Sequence, residues 1–146
     1  MHIHLHNETE LTDDNQNAIV NLAEWICSEL RLPILSVDLI FVDDDTLRSM
    51  HASFLQDETF TDVMTFNLGE ADQIEGEIYI SPDRAAENAK TYGVSLSNEL
   101  FRLVIHACLH LAGYDDKSDD LRAVMKERED YFLSQASELF GQMTDG

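Results

Sequence analysis

Residues 106–116 read HACLHLAGYDD, and two histidines four residues apart break a run that is otherwise buried core. Each residue of an α-helix advances about 100°, so His106 and His110 stand about 40° apart on one face, while Cys108, about 200° from His106, points elsewhere. Two imidazoles one turn apart can share a zinc ion. Gly113 lets the chain leave the helix through a left-handed turn and bring a later residue back over the same face, and three residues on stands Asp116. Two separate core histidines would each need a hydrogen-bond partner. A shared metal accounts for the pair, the glycine and the acid together.

The spacing His, three residues, His, two residues, Gly, two residues, ligand is that of the metzincin zinc helix with two changes. Ala107 stands where the catalytic Glu would be, and Asp116 stands for the third histidine. A carboxylate oxygen ligates zinc at about 2.0–2.2 Å, so the second change keeps a three-ligand site with an open position. Asp115 competes with Asp116; spacing selects Asp116 and leaves Asp115 to hydrogen-bond the turn or a ligand histidine. Arg102 stands one turn before His106 on the same face, within reach of an acid such as Glu99.

Working outward, Ser95 or Ser97 opens this helix, and Ser118 caps a last amphipathic helix whose stripe is read as Leu121, Val124, Met125, Tyr131, Phe132, Leu139 and Phe140. Pro82 after Ser81 fits a helix start, and Gly93 fits a helix end. Thr12 or Asp13 opens a helix carrying Ala18, Ile19, Leu22, Trp25, Ile26 and Leu30 up to Pro33. ILSVDLIFV (34–42), TDVMTFNL (61–68) and GEIYIS (76–81) read as strands, and the acids of DDDTLRSMHASFL (43–55) suit a helix N-terminus. HIHLH (2–6) alternates with a period of two, placing His2, His4 and His6 on one face of a half-exposed first strand; the residues that follow complete no metal site. The expectation is one α+β domain over residues 1–146, a small mixed sheet covered by several helices.

The chain has 29 acidic and 9 basic residues, a net charge of −20. Such a field repels phosphate backbones and excludes a broad basic footprint for nucleic acid. The start has no basic segment followed by an apolar one, and LVIHACLHLAG is too short and too polar to span a bilayer, so a soluble cytoplasmic protein with no membrane partner is expected. Cys27 and Cys108 fit free thiols in a reducing compartment.

HACLHLAGYDD resembles the signature of the YbeY-type endoribonucleases, bacterial rRNA maturation factors, written H-G-x-L-H-L-x-G-Y-D-H. TDVMTF resembles their T-D-V-L-S-F strand and GEIYISPDRAAENA their G-D-I-x-I-S-x-x-x-A segment, in the same order along nearly the whole chain. The resemblance implies one Zn2+ held by His106, His110 and the residue at 116, single-strand-specific RNA cleavage, maturation of the small-subunit rRNA 3′ end and ribosome quality control. It also implies rRNA, ribosomal particles, ribosomal proteins and a ribosome-assembly GTPase as partners. The family's arginine shortly before T-D-V, its candidate phosphate binder, is Leu55 here; Arg102 is then the candidate catalytic cation, which either reaches a scissile phosphate in its place or only pairs with an acid such as Glu99. Two other readings stand beside it: a non-enzymatic metal-binding assembly factor, and a metallopeptidase, which Ala107 disfavours because peptide hydrolysis uses a Glu at that position.

Overall fold

The computed structural model describes residues 2–9, 11–55, 62–70 and 72–140; the side chains of Phe54, Leu55 and Phe140 lie outside this description. The elements run β1 (His2–Asn7), α1 (Asp13–Glu29), β2 (Ile34–Phe41), α2 (Asp44–Leu55), β3 (Val63–Asn67), β4 (Ile74–Ile80), α3 (Pro82–Tyr92), α4 (Leu96–Leu111) and α5 (Asp119–Phe140). The strands form one mixed sheet in the order β1-β2-β4-β3. β1 and β4 each run parallel to β2, and β3 runs antiparallel to β4 at the edge. The α+β architecture read from the sequence is the one observed.

Alternation sorts the sheet into two faces. Val37, Leu39 and Phe41 of β2 and Ile74, Ile78 and Ile80 of β4 turn inward and join the main core. Ser36, Asp38, Glu75 and Glu77 have the opposite parity and share the outer face with the β1 histidines. α2 covers part of that outer face with Leu47, over Ile40, Met64, Phe66 and Tyr79.

α4 is the central element. It buries Leu100, Phe101, Leu103, Val104, Ile105, Ala107, Cys108 and Leu109, residues spread around almost its whole circumference, because it packs against α1, α3, α5, β3 and β4 at once. Its C-terminal end comes close to the sheet at Gly76, where an added Cβ would lie 3.1 Å from Leu111 Cδ1. Ser95 caps its start by accepting from the Asn98 N–H at 3.1 Å, so the first of the two predicted openings is the one used.

α5 differs from the expected stripe. Its buried face is Met125, Glu129, Phe132 and Ala136, spaced four, three and four residues apart, while Leu121, Val124, Tyr131 and Leu139 are exposed. Val124 and Tyr131 sit roughly a quarter to a third of a turn off the buried line, and Leu121 and Leu139, though in line with it, lie toward the helix ends, four and three residues beyond its last buried positions. Phe140, the remaining member of the predicted stripe, lies outside the described side chains.

Candidate metal centre

The end of α4 is built to reverse the chain. The Tyr114 N–H donates to the Leu109 carbonyl and the Gly113 N–H to the His110 carbonyl, both at 3.0 Å, with Gly113 at φ 98°. This is the paired-bond helix end that needs a left-handed residue, which only glycine adopts without strain. The turn carries residues 115 and 116 back toward the histidines. Asp115 spends its Oδ1 on the Lys117 N–H at 2.9 Å, whereas Asp116 Oδ2 lies 3.8 Å from His106 Nε2 and 3.7 Å from His110 Nε2. The two Nε2 atoms are 3.1 Å apart.

These separations test whether a metal fits. A tetrahedral ion with ligands at about 2.0–2.2 Å places neighbouring ligand atoms about 3.3–3.6 Å apart, and the three observed edges bracket that range. Among the described residues, His106, His110 and Asp116 form the one His/Cys/Asp/Glu group whose ligand atoms converge within 4.8 Å. Burial and the neighbouring His106 push the His110 imidazole below its ordinary pKa, against the opposing pull of Asp116, Asp115 and a hydrogen bond with the Tyr114 backbone. A neutral imidazole is the form that ligates.

Behind the histidines lies a polar chain of which the sequence showed only one link, the pairing of Arg102 with Glu99. His106 Nδ1 is 2.8 Å from Glu129 Oε2, and Glu129 Oε1 accepts from Arg102 Nη1 at 3.1 Å. Arg102 also donates through Nε and Nη2 to both oxygens of Glu99, at 2.8 and 2.6 Å. Asn88 Nδ2 then bridges Glu99, at 3.2 Å, to Asp62, at 2.9 Å. The guanidinium of Arg102 therefore faces two carboxylates, held charged mainly by its hydrogen bonds to Glu99, which outweigh burial. Burial raises the Glu129 carboxyl, but the bonds and charges of His106 and Arg102 outweigh it and hold the group below its ordinary pKa. The signal for Glu129 was available: an acid on the apolar line of α5, 7% exposed.

A cleft of about 340 Å³ opens beside His110, lined by Val63, Thr65, Asn67 and Leu111. Its far wall is β3, whose outer edge has no strand beside it among the described residues. Near the turn, Arg122 donates through Nη1 to the Asp116 carbonyl at 3.1 Å and through Nη2 to Asp119. Arg84, the arginine of the family-like segment GEIYISPDRAAENA, pairs with Asp44 at 2.7 Å, where two helix starts meet.

The family model described as Endoribonuclease YbeY matches residues 2–137. The Endoribonuclease YbeY of Chlorobaculum tepidum is 35% identical over 133 residues, covering 91% of this chain and 96% of that protein. That of Flavobacterium johnsoniae is 36% identical over 129 residues, covering 88% and 92%. The solution structure of TM1509 from Thermotoga maritima matches with a TM-score of 0.70 at 29% identity, over 95% of this chain and 91% of that one.

Proposed function

The chain belongs to the YbeY endoribonuclease family, and on that premise we propose that it is a zinc-dependent, single-strand-specific endoribonuclease that matures the 3′ end of small-subunit rRNA and serves ribosome quality control in the cytoplasm. The observation that carries the reading is the convergence of His106 Nε2, His110 Nε2 and Asp116 Oδ2 at metal-ligand separations beside an open cleft. The proposed partners are rRNA in ribosomal particles, ribosomal proteins and a ribosome-assembly GTPase, as in the family. Among the described residues no helix is long and apolar enough to cross a membrane.

His106, His110 and Asp116 would hold the ion. When bound, a divalent metal supplies Lewis-acid chemistry, polarising a phosphoryl oxygen and acidifying water. Glu129 accepts the Nδ1 proton of His106, which fixes the tautomer and leaves the Nε2 lone pair facing Asp116. Arg102 holds Glu129 in place from the other side and is a positioning residue in this reading, with Glu99 orienting the guanidinium. The cleft along β3 admits an extended strand to His110, and Thr65 and Asn67 present polar groups to it. Ala107 is buried, so the position that serves as proton acceptor in the peptidases carries none, and the nuclease reading is preferred to the peptidase one.

The test is elemental analysis of dialysed protein followed by single-turnover cleavage of a single-stranded rRNA 3′ segment. About one zinc per chain is expected, with metal and cleavage both lost in His110→Ala. Unchanged metal content in that variant would sink the site. Metal without cleavage, on free RNA and on ribosomal particles alike, would favour the non-enzymatic assembly factor, a reading that the acidic surface and Leu55 in the arginine's place support.

A further inference from the structure

The outer face of the sheet carries a second set of metal-ligating side chains, remote in sequence from the helix histidines. His2, His4 and His6 alternate along β1, an edge strand, and all three are exposed. Registration with β2 puts His4 opposite Asp38 and His2 opposite Ser36, and β4 continues the His4 row with Glu77 beside Asp38. α2 lies over Ile40, Met64, Phe66 and Tyr79; Phe66 ends the row of His4, Asp38 and Glu77 on the far side of the sheet, and His6 begins the neighbouring row of Ile40 and Tyr79 at the β1 edge. The rings of His2 and His4 are nearly parallel, 10° between planes with centroids 6.3 Å apart. His6 Nε2 already lies 3.2 Å from Asp38 Oδ1.

Consecutive outward residues of a strand stand about 6.6 Å apart and neighbouring strands about 4.8 Å apart. Two imidazoles from one strand and a carboxylate from the next can therefore close on a single ion by rotation of their side chains alone. The His6 to Asp38 contact is an ion-pair distance, slightly shorter than the spacing of adjacent ligands on a tetrahedral ion, so a small outward rotation admits one. His6 and Asp38 are 58% and 36% exposed, and exposed side chains change rotamer on the ps–ns scale, so closure needs no backbone movement. Closure does cost side-chain entropy that the convergent His106 site has already met, so this site is the weaker of the two. Asp38, Glu77 and a net charge of −20 favour a cation at this face.

We infer that His4, His6 and Asp38, with His2 adjacent, form a second, surface site for a late first-row divalent cation, independent of the His106 and His110 centre. Imidazole nitrogen with one carboxylate oxygen selects Cu2+, Ni2+ or Zn2+ over Mg2+ or Ca2+, with Cu2+ the tightest.

The experiment uses the full chain without an affinity tag, titrated with Ni2+ by calorimetry and followed by paramagnetic broadening of amide signals. Two classes of site are expected in the wild type, the weaker one broadening Ile3 and Leu5. His4→Ala with His6→Ala should remove the weaker class and leave the tighter, and Asp38→Asn should weaken it several-fold. His110→Ala should do the reverse, losing the tighter class and sparing the β1 signals, so this site and the nuclease centre stand or fall separately. His4 and His6 are exposed and Asp38 is half-buried, and an unchanged thermal midpoint confirms that folding is intact. Binding in the wild type that the His4 and His6 replacements leave unchanged in every class, with no broadening of Ile3 and Leu5, overturns the inference, whereas a lone class that those replacements abolish supports it and counts only against the His106 and His110 centre.

Discussion

Glu129 sits between a cation and an imidazole, 7% exposed, so its loss acts on both neighbours. Glu129→Ala would strand the Arg102 guanidinium with one partner and leave His106 Nδ1 without an acceptor. Outer hydrogen-bond partners of this kind are worth about 10- to 100-fold in metal affinity, and breaking a largely buried ion pair costs about 3 kcal/mol or more. Glu129→Gln keeps the shape and an acceptor oxygen but not the charge, so it should retain more of both. Chelator competition and denaturant unfolding on the two variants check this; equal metal affinity in wild type and Glu129→Ala would show that His106 is oriented by packing alone. The residue could be suspected from the sequence, because charge on an apolar helix line demands a partner. Which partner could not, since His106 is 23 residues away and on another helix.

At the scale of elements, helix ends decide the layout. Asp43 caps α2 by accepting from the Thr46 N–H at 2.7 Å, and hydrogen bonds with the Thr46 side chain and backbone lower its pKa below the ordinary value. A carboxyl lowered on folding contributes stability that is complete above its unfolded pKa, about 3.9, and is lost as pH falls through its lower folded value. Hydrogen exchange at the first turn of α2 should therefore accelerate, relative to α4, only below about pH 4; a constant ratio down to acid pH would remove the cap from the account. Such ends were legible because they are local: Ser81, Pro82, Gly93, Ser95 and Gly113 all act within a few residues. Strand order was not, because β1-β2-β4-β3 is set by which faces α1 and α4 bury. The same gap hid Asp38: HIHLH shows three imidazoles, but the carboxylate that meets His6 arrives by parallel pairing with a strand about thirty residues on.

For the molecule as a whole, charge sets the terms on which it meets RNA. At −20, with Arg102 and Arg84 facing carboxylates, few phosphates are neutralised on contact. Binding to naked RNA should be weak, with a salt slope shallower than about 3, since each neutralised phosphate of a single strand contributes about 0.7. Cleavage should improve when a ribosomal particle holds the strand near the centre. Filter binding across a salt series checks the first point, and tight, steeply salt-sensitive binding would overturn it. The Cys27 and Cys108 sulfurs, each 0% exposed and 4.0 Å apart, give the same molecule an internal clock. One belongs to α1 and the other to the helix that bears both histidines, so an alkylating reagent reaches either thiol only when those two helices part. The labelling rate then counts openings of the core, and an ion clamping the end of α4 should slow it in proportion to its occupancy.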